Sequence, residues 1–119
     1  NVVYVPLCTG DGHAGSNTGV NVPGTQAPQN QSFVGATNLG LMLSRIVPSF
    51  PNVTRVMLAG SSTGALGVLL NADRVSRDFC HAELSLLSDS FPIMDDAYLA
   101  ACLQQRWRTL WGFDAALAA

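Results

Sequence analysis

Arg55-Val-Met-Leu-Ala-Gly-Ser-Ser-Thr-Gly-Ala65 is an apolar run that breaks into glycines and hydroxyls before apolar residues resume. The run to Ala59 reads as a buried strand, and Gly60 to Gly64 as a sharp turn. Ala65 to Asp78 then reads as a helix, with Leu66, Leu69, Leu70 and Val75 as candidate buried positions. A strand handed to a helix through so short a turn is the unit of an α/β fold. Upstream, Phe33 to Val47 has helical spacing, with Leu39, Leu43, Ile46 and Val47 on one face and Met42 beside them. Pro48 and Pro51 are expected to end it. Farther upstream, Val2 to Val5 reads as a buried strand ended by Pro6, and residues 16–32 as a long surface loop. Downstream, Ala82 to Leu87 reads as a third strand. Asp95 or Asp96 is expected to cap a helix running to about Arg108. The alternation predicts an α/β class with a parallel sheet and helices packed on it. Three strands are few for an open sheet, so the chain reads as part of a larger fold.

Composition narrows the function. The 119 residues are 48% hydrophobic and 12% charged, with a formal net charge of −2, which excludes a disordered chain. There is no lysine and the six arginines are scattered, so no basic stripe exists for nucleic acid. No apolar run reaches the roughly 18 residues of a membrane span. The first residues lack the basic start of a signal peptide. With no initiating Met, the chain is expected to begin partway through a longer reading frame or after processing. Cys8, Cys80 and Cys102 make an odd count. Either all three thiols are reduced, or one is left free beside a pair, or one pairs with a cysteine outside this chain. Cys80 and Cys102 are the expected internal pair. Asn30 and Asn52 head glycosylation-type tripeptides, a pattern that is common by chance.

Gly60-Ser61-Ser62-Thr63-Gly64 fits G-x-S-x-G at a strand-to-helix turn. Small residues at 60 and 64 permit a strained turn that lifts the Ser62 hydroxyl out of the sheet. The Thr63 N–H would then face a developing oxyanion at the helix start. Ser61 is the competing serine, one place early in the pattern. In a parallel sheet, residues that follow strands share one rim, so Asp11, His13 and Asp89 are expected on the Ser62 rim. His81 precedes the third strand and is expected roughly 20 Å away. His13 is on the correct rim, but the α/β-hydrolase order is serine, acid, histidine, and no histidine follows His81. Cys8, Asp11 and His13 are too few for a zinc site, so no metal or cofactor is expected. Asp11 and His13 are expected to hydrogen-bond the loop or line a pocket.

Four segments carry a family resemblance. Val3-Tyr-Val-Pro-Leu-Cys-Thr-Gly-Asp-Gly-His-Ala-Gly15 resembles the "YVPYCTGDVHAG" segment of the pectin acetylesterase/Notum family. Leu58 to Val75 is similar to its nucleophile segment, "LAGSSAGGTGVLLNVDRV". Leu87-Ser-Asp-Ser-Phe91 resembles its "ADSG" segment, and Leu110-Trp-Gly112 a Trp-Gly pair of bacterial members. The resemblance implies a three-layer α/β-hydrolase-like fold, of which the chain is a central part. It also implies carboxylester hydrolysis, a secreted or periplasmic setting, and disulfides. Ser62 matches the nucleophile and Thr63 the oxyanion donor after it, while Asp89 matches an acidic position outside the triad. Thr63-Gly-Ala-Leu66 departs from the family's smaller "AGGT" run, Ser90-Phe91 lacks a glycine, and Leu7 stands where an aromatic residue is usual. The family's triad Asp and His lie downstream of anything here.

Two functions follow. One is a serine carboxylesterase acting on an acylated carbohydrate or other small ester through an acyl-serine. Its base would come from flanking segments or a second chain. The other is a non-catalytic module of the same fold that binds a carbohydrate or partner. On either reading the 119-residue chain alone is expected to be inactive and marginally stable.

Overall fold

The computed structural model describes residues 1–91, 95 and 97–117. The order is β1 (Asn17–Val20), β2 (Gln31–Phe33), α1 (Gly35–Ser49), β3 (Arg55–Ser61), α2 (Thr63–Asp78), β4 (Glu83–Asp89), α3 (Ala101–Trp111) and α4 (Phe113–Leu117). β3 and β4 pair in parallel, in unbroken register from Arg55 opposite Glu83 to Ser61 opposite Asp89. The mixed α/β class expected from the alternation is the one the chain adopts.

Val56 and Leu58 turn toward the helices while Arg55, Met57 and Ala59 turn away, the period-two pattern of a strand with one covered face. Against the covered face lie Val75 of α2 and Phe79 just after it, and beyond them Leu39 and Leu43 of α1. The other face is bare: Met57 is 70% exposed and Leu87 54%. A second cluster joins Leu66 of α2 to Ala14 and Phe113. α2 therefore sits between two cores and anchors the molecule.

Several expectations are corrected. Val2 to Val5 forms no strand, and Val2 is 97% exposed. β4 is the only strand neighbour of β3 among the described residues, and cavities rather than a ladder separate Val3 and Val5 from β3. A strand needs a partner about 4.8 Å away, and apolar character alone does not supply one. The expected loop at 16–32 contains the antiparallel β1–β2 hairpin. Its ends are tied by side chains: Asn21 Oδ1 accepts from the Asn30 amide, and Asn17 Nδ2 donates to the Thr109 carbonyl.

α1 runs through Pro48 to Ser49, and the proline leaves the Ser44 carbonyl without its helical donor. Leu69 is 41% exposed, since the buried stripe of α2 runs instead through Leu66, Val68, Asn71 and Val75. Asp95 does not cap α3. Its carboxylate accepts from the Ala97 amide and its carbonyl from Tyr98 and Leu99, closing a separate turn. Asp96 lies outside the described residues. Ala100, extended at φ −50° and ψ 125°, precedes α3, which ends at Gly112 in the left-handed conformation. Cys80 and Cys102 form no bridge, and all three thiols are free and exposed. β4 carries the chain roughly 20 Å between the two positions. The far end of α3 then packs on the β1–β2 hairpin, where Trp111 meets Phe33.

Candidate active site

Ser62 stands between the last residue of β3 and the first of α2, at φ 55° and ψ −125°. A non-glycine residue at positive φ is uncommon and strained. Two contacts hold it there. The Ser62 amide donates to the Asp89 carbonyl (2.9 Å), tying the turn to the end of β4. The Ser62 carbonyl accepts the first amide of the α2 ladder, Ala65 N–H (2.9 Å). The amides of Thr63 and Gly64 precede that ladder and are the orphan donors every helix start leaves. Ser62 itself is exposed.

The two glycines of the motif are not equivalent. A Cβ at Gly60 would overlap the Gly64 carbonyl, so Gly60 lets the two arms of the elbow close. A Cβ at Gly64 would meet nothing within 4 Å, so that position does not need glycine for space. Ser61 points elsewhere: its hydroxyl donates to the Asp89 carboxylate (3.3 Å).

A cavity of about 920 Å³ opens beside the elbow, lined by Ser61, Ser62, Thr63, Gly67, Asn71 and His13, with apolar walls from Val3, Val5 and Leu58. Of the three residues expected near Ser62, only His13 lines this cavity. Asp89 sits at the same end of the β3–β4 pair but turns to Ser61. Asp11 lies beneath, with no exposed surface. Its Oδ2 accepts from the Thr9 hydroxyl (2.9 Å) and from the Gly35 amide (2.8 Å). That second bond satisfies the start of α1, where Val34 offers no side-chain cap. A Cβ at Gly15 or at Gly35 would collide with the Asp11 carboxylate, so the two glycines form its cradle. Asp11 Oδ1 is buried without a partner among the described residues.

His13 is placed by α2. A Cβ at Gly67 would come within 2.8 Å of His13 Cδ2, so the imidazole lies against the helix where that side chain is missing. Asn71 Nδ2 bridges the carbonyls of Gly67 (3.0 Å) and His13 (3.3 Å). Burial lowers the His13 pKa from its ordinary value, opposed by the nearby Asp11 charge, and the imidazole is neutral at pH 7. Gly67 and Asn71 were not legible as site residues. The one signal was a polar Asn71 on the apolar stripe of α2. His81 lies just before β4, at the end of the pair opposite Ser62, and is exposed. Among the described residues no three His, Cys, Asp or Glu converge as metal ligands. No helix described is long and apolar enough to cross a membrane.

Comparison with known proteins fits this geometry. The pectinacetylesterase family profile matches residues 1–116. The chain is 34% identical to the palmitoleoyl-protein carboxylesterase NOTUM of Drosophila melanogaster, over 93% of the chain and 18% of that protein. It is 38% identical to the palmitoleoyl-protein carboxylesterase notum2 of Xenopus laevis, over 64% of the chain and 14% of that protein. The chain thus spans less than a fifth of the length of either curated relative. No solved structure matches it. With the profile spanning nearly every residue and both elbow and loop inside it, the chain belongs to the pectinacetylesterase family.

Proposed function

We propose that the chain supplies the nucleophile and part of the pocket of a serine carboxylesterase, with Ser62 as the attacking residue. The observation that carries the reading is the exposed Ser62 at φ 55°, set between β3 and α2 and opening on a cavity. In the reaction the Ser62 oxygen attacks the ester carbonyl, the alcohol leaves, and water releases the acyl group from the serine. The amide of Thr63 stabilises the tetrahedral oxyanion, because it precedes the α2 ladder. A serine hydroxyl is a weak nucleophile without a base. His81 is at the wrong end of the sheet to serve, and His13 precedes the serine, against the chain order of an α/β-hydrolase, so the base and its orienting carboxylate are contributed by residues outside these 119. The substrate is an acylated carbohydrate or another small ester, handled in a secreted or periplasmic setting.

The test is Ser62→Ala in the protein that carries this chain. Ester hydrolysis of p-nitrophenyl acetate should fall by about a thousandfold or more, with folding intact. Activity within about tenfold of wild type removes Ser62 from the nucleophile role. A serine-directed phosphonate should label Ser62 in the wild type, and no labelling favours a non-catalytic binding module.

A further inference from the structure

His13 is used by no step of the reaction proposed above, and nothing in its surroundings explains its side chain as structure. No hydrogen bond reaches either imidazole nitrogen from the described residues, although the ring is only half-buried against α2. Both nitrogens keep contact with solvent on the cavity side, so they are open to a ligand that enters it. The backbone at His13 is held at φ 57°, a conformation uncommon outside glycine. What fixes it there is costly: a fully buried carboxylate at Asp11, two glycines that make room for that carboxylate, and a third, Gly67, that makes room for the ring. Asn71 then pins the His13 carbonyl to the helix. The result is an oriented imidazole on the wall of the cavity that Ser62 opens into. Gly67 follows Ser62 by little more than one turn of α2, so the ring stands roughly 7 Å along the helix from the serine. An ester held at Ser62 places the atoms next to its carbonyl within that range.

We propose that His13 is a substrate-contact residue that selects esters whose alcohol carries a hydroxyl near the scissile bond. A neutral imidazole offers one donor and one acceptor, the pair that matches a hydroxyl group. Most of the remaining cavity wall away from the elbow is apolar, through Val3, Val5 and Leu58, so this contact discriminates between otherwise similar alcohols. An ester without the hydroxyl leaves the facing nitrogen without that partner, and sites built around a hydrogen bond reject analogues that lack it. The inference rests on Ser62 being the reacting residue.

The experiment compares 1-monoacetin with propyl acetate, which differ only in two hydroxyls, using the full protein. The ratio of their kcat/KM values is the readout. His13→Phe should lower that ratio by about fivefold, the contribution of one neutral hydrogen bond. His13→Gln, which keeps a donor and an acceptor, should hold the ratio within about twofold. An unchanged ratio in His13→Phe overturns the proposal, including the case in which both esters slow equally. Phosphonate labelling at Ser62 is run alongside. Labelled protein with an unchanged ratio defeats the role of His13 alone, whereas unlabelled wild type defeats the Ser62 reading and this inference with it. A second measurement does not depend on His13 variants folding. In Ser62→Ala protein, 1-monoacetin should shift the His13 ring resonances and propyl acetate should not. Equal response to both esters, or none to either, overturns the proposal.

Discussion

At His13 two influences on the proton oppose each other. Partial burial disfavours the charged ring, the buried Asp11 carboxylate favours it, and burial is the larger, so the pKa is lowered from 6.5. The sign of the consequence follows from linkage. Above pH 6.5 neither folded nor unfolded chain protonates this residue appreciably, and it contributes nothing to the pH dependence. As the pH falls through 6.5 the unfolded chain takes up the proton first, so stability drops. The drop ends once the pH passes below the lowered folded value. Urea midpoints from pH 8 to pH 5 should therefore fall more in wild type than in His13→Gln, with the difference opening below pH 6.5. Parallel curves would mean that the ring is solvated in solution. Ser62 shows the same logic in backbone terms: an unfavourable φ survives because the Asp89 carbonyl and the Ala65 amide over-determine it.

The β3–α2 elbow shows which parts of a motif do physical work. Both glycines of G-x-S-x-G invite the same explanation from sequence, but their surroundings differ. Ala at Gly60 would drive a methyl into the Gly64 carbonyl, and the atoms it meets are backbone rather than a side chain that could swing away. Gly60→Ala should lower stability by more than about 2 kcal/mol and displace Ser62. Ala at Gly64 enters open space in the first turn of α2 and replaces the poorest ordinary helix former with the best. Gly64→Ala should be neutral or raise stability by up to about 1 kcal/mol. Denaturant melts of the two variants decide the matter, and equal effects would mean that the elbow geometry is wrong. α1 depends on a remote element in a comparable way. Its amide end is satisfied by Asp11 from another part of the chain rather than by its own N-cap.

At the scale of the molecule the core is one-sided. Helices cover Val56, Leu58 and Leu84, while Met57 and Leu87 face outward. The radius of gyration, 15.3 Å, exceeds the roughly 13.5 Å of a compact chain of this length. A bare sheet face and a free strand edge are surfaces that other chain segments normally cover. The three thiols belong to this picture: each is exposed and none is bridged. Native protein should therefore react with three equivalents of Ellman's reagent without denaturant, since accessible thiols are the reactive ones. One equivalent instead of three would restore a disulfide, and mapping it would show whether Cys80 and Cys102 are the pair.

What the sequence determined by itself were the features with a local cause. The helix over residues 35–49, the strand at 55–61 and the helix after it were legible because apolar spacing repeats within a few residues. The elbow was legible because glycines and hydroxyls cluster between those two periods. The resemblance of the Cys8 to Gly15 loop to its family was equally readable. Tertiary structure alone decided the rest. Val2 to Val5 has strand composition and no partner at ladder distance. The β1–β2 hairpin is polar and gains its ends from Asn17 and Asn21. The start of α3 shifted because Asp95 closed a turn of its own. Asp11, read as a possible pocket residue, became a buried strut, and His13 was carried to the cavity by Gly67 and Asn71 on a distant helix. Local periodicity encodes which face of an element is apolar. Which remote atoms meet that face depends on contacts the chain makes only when it is folded.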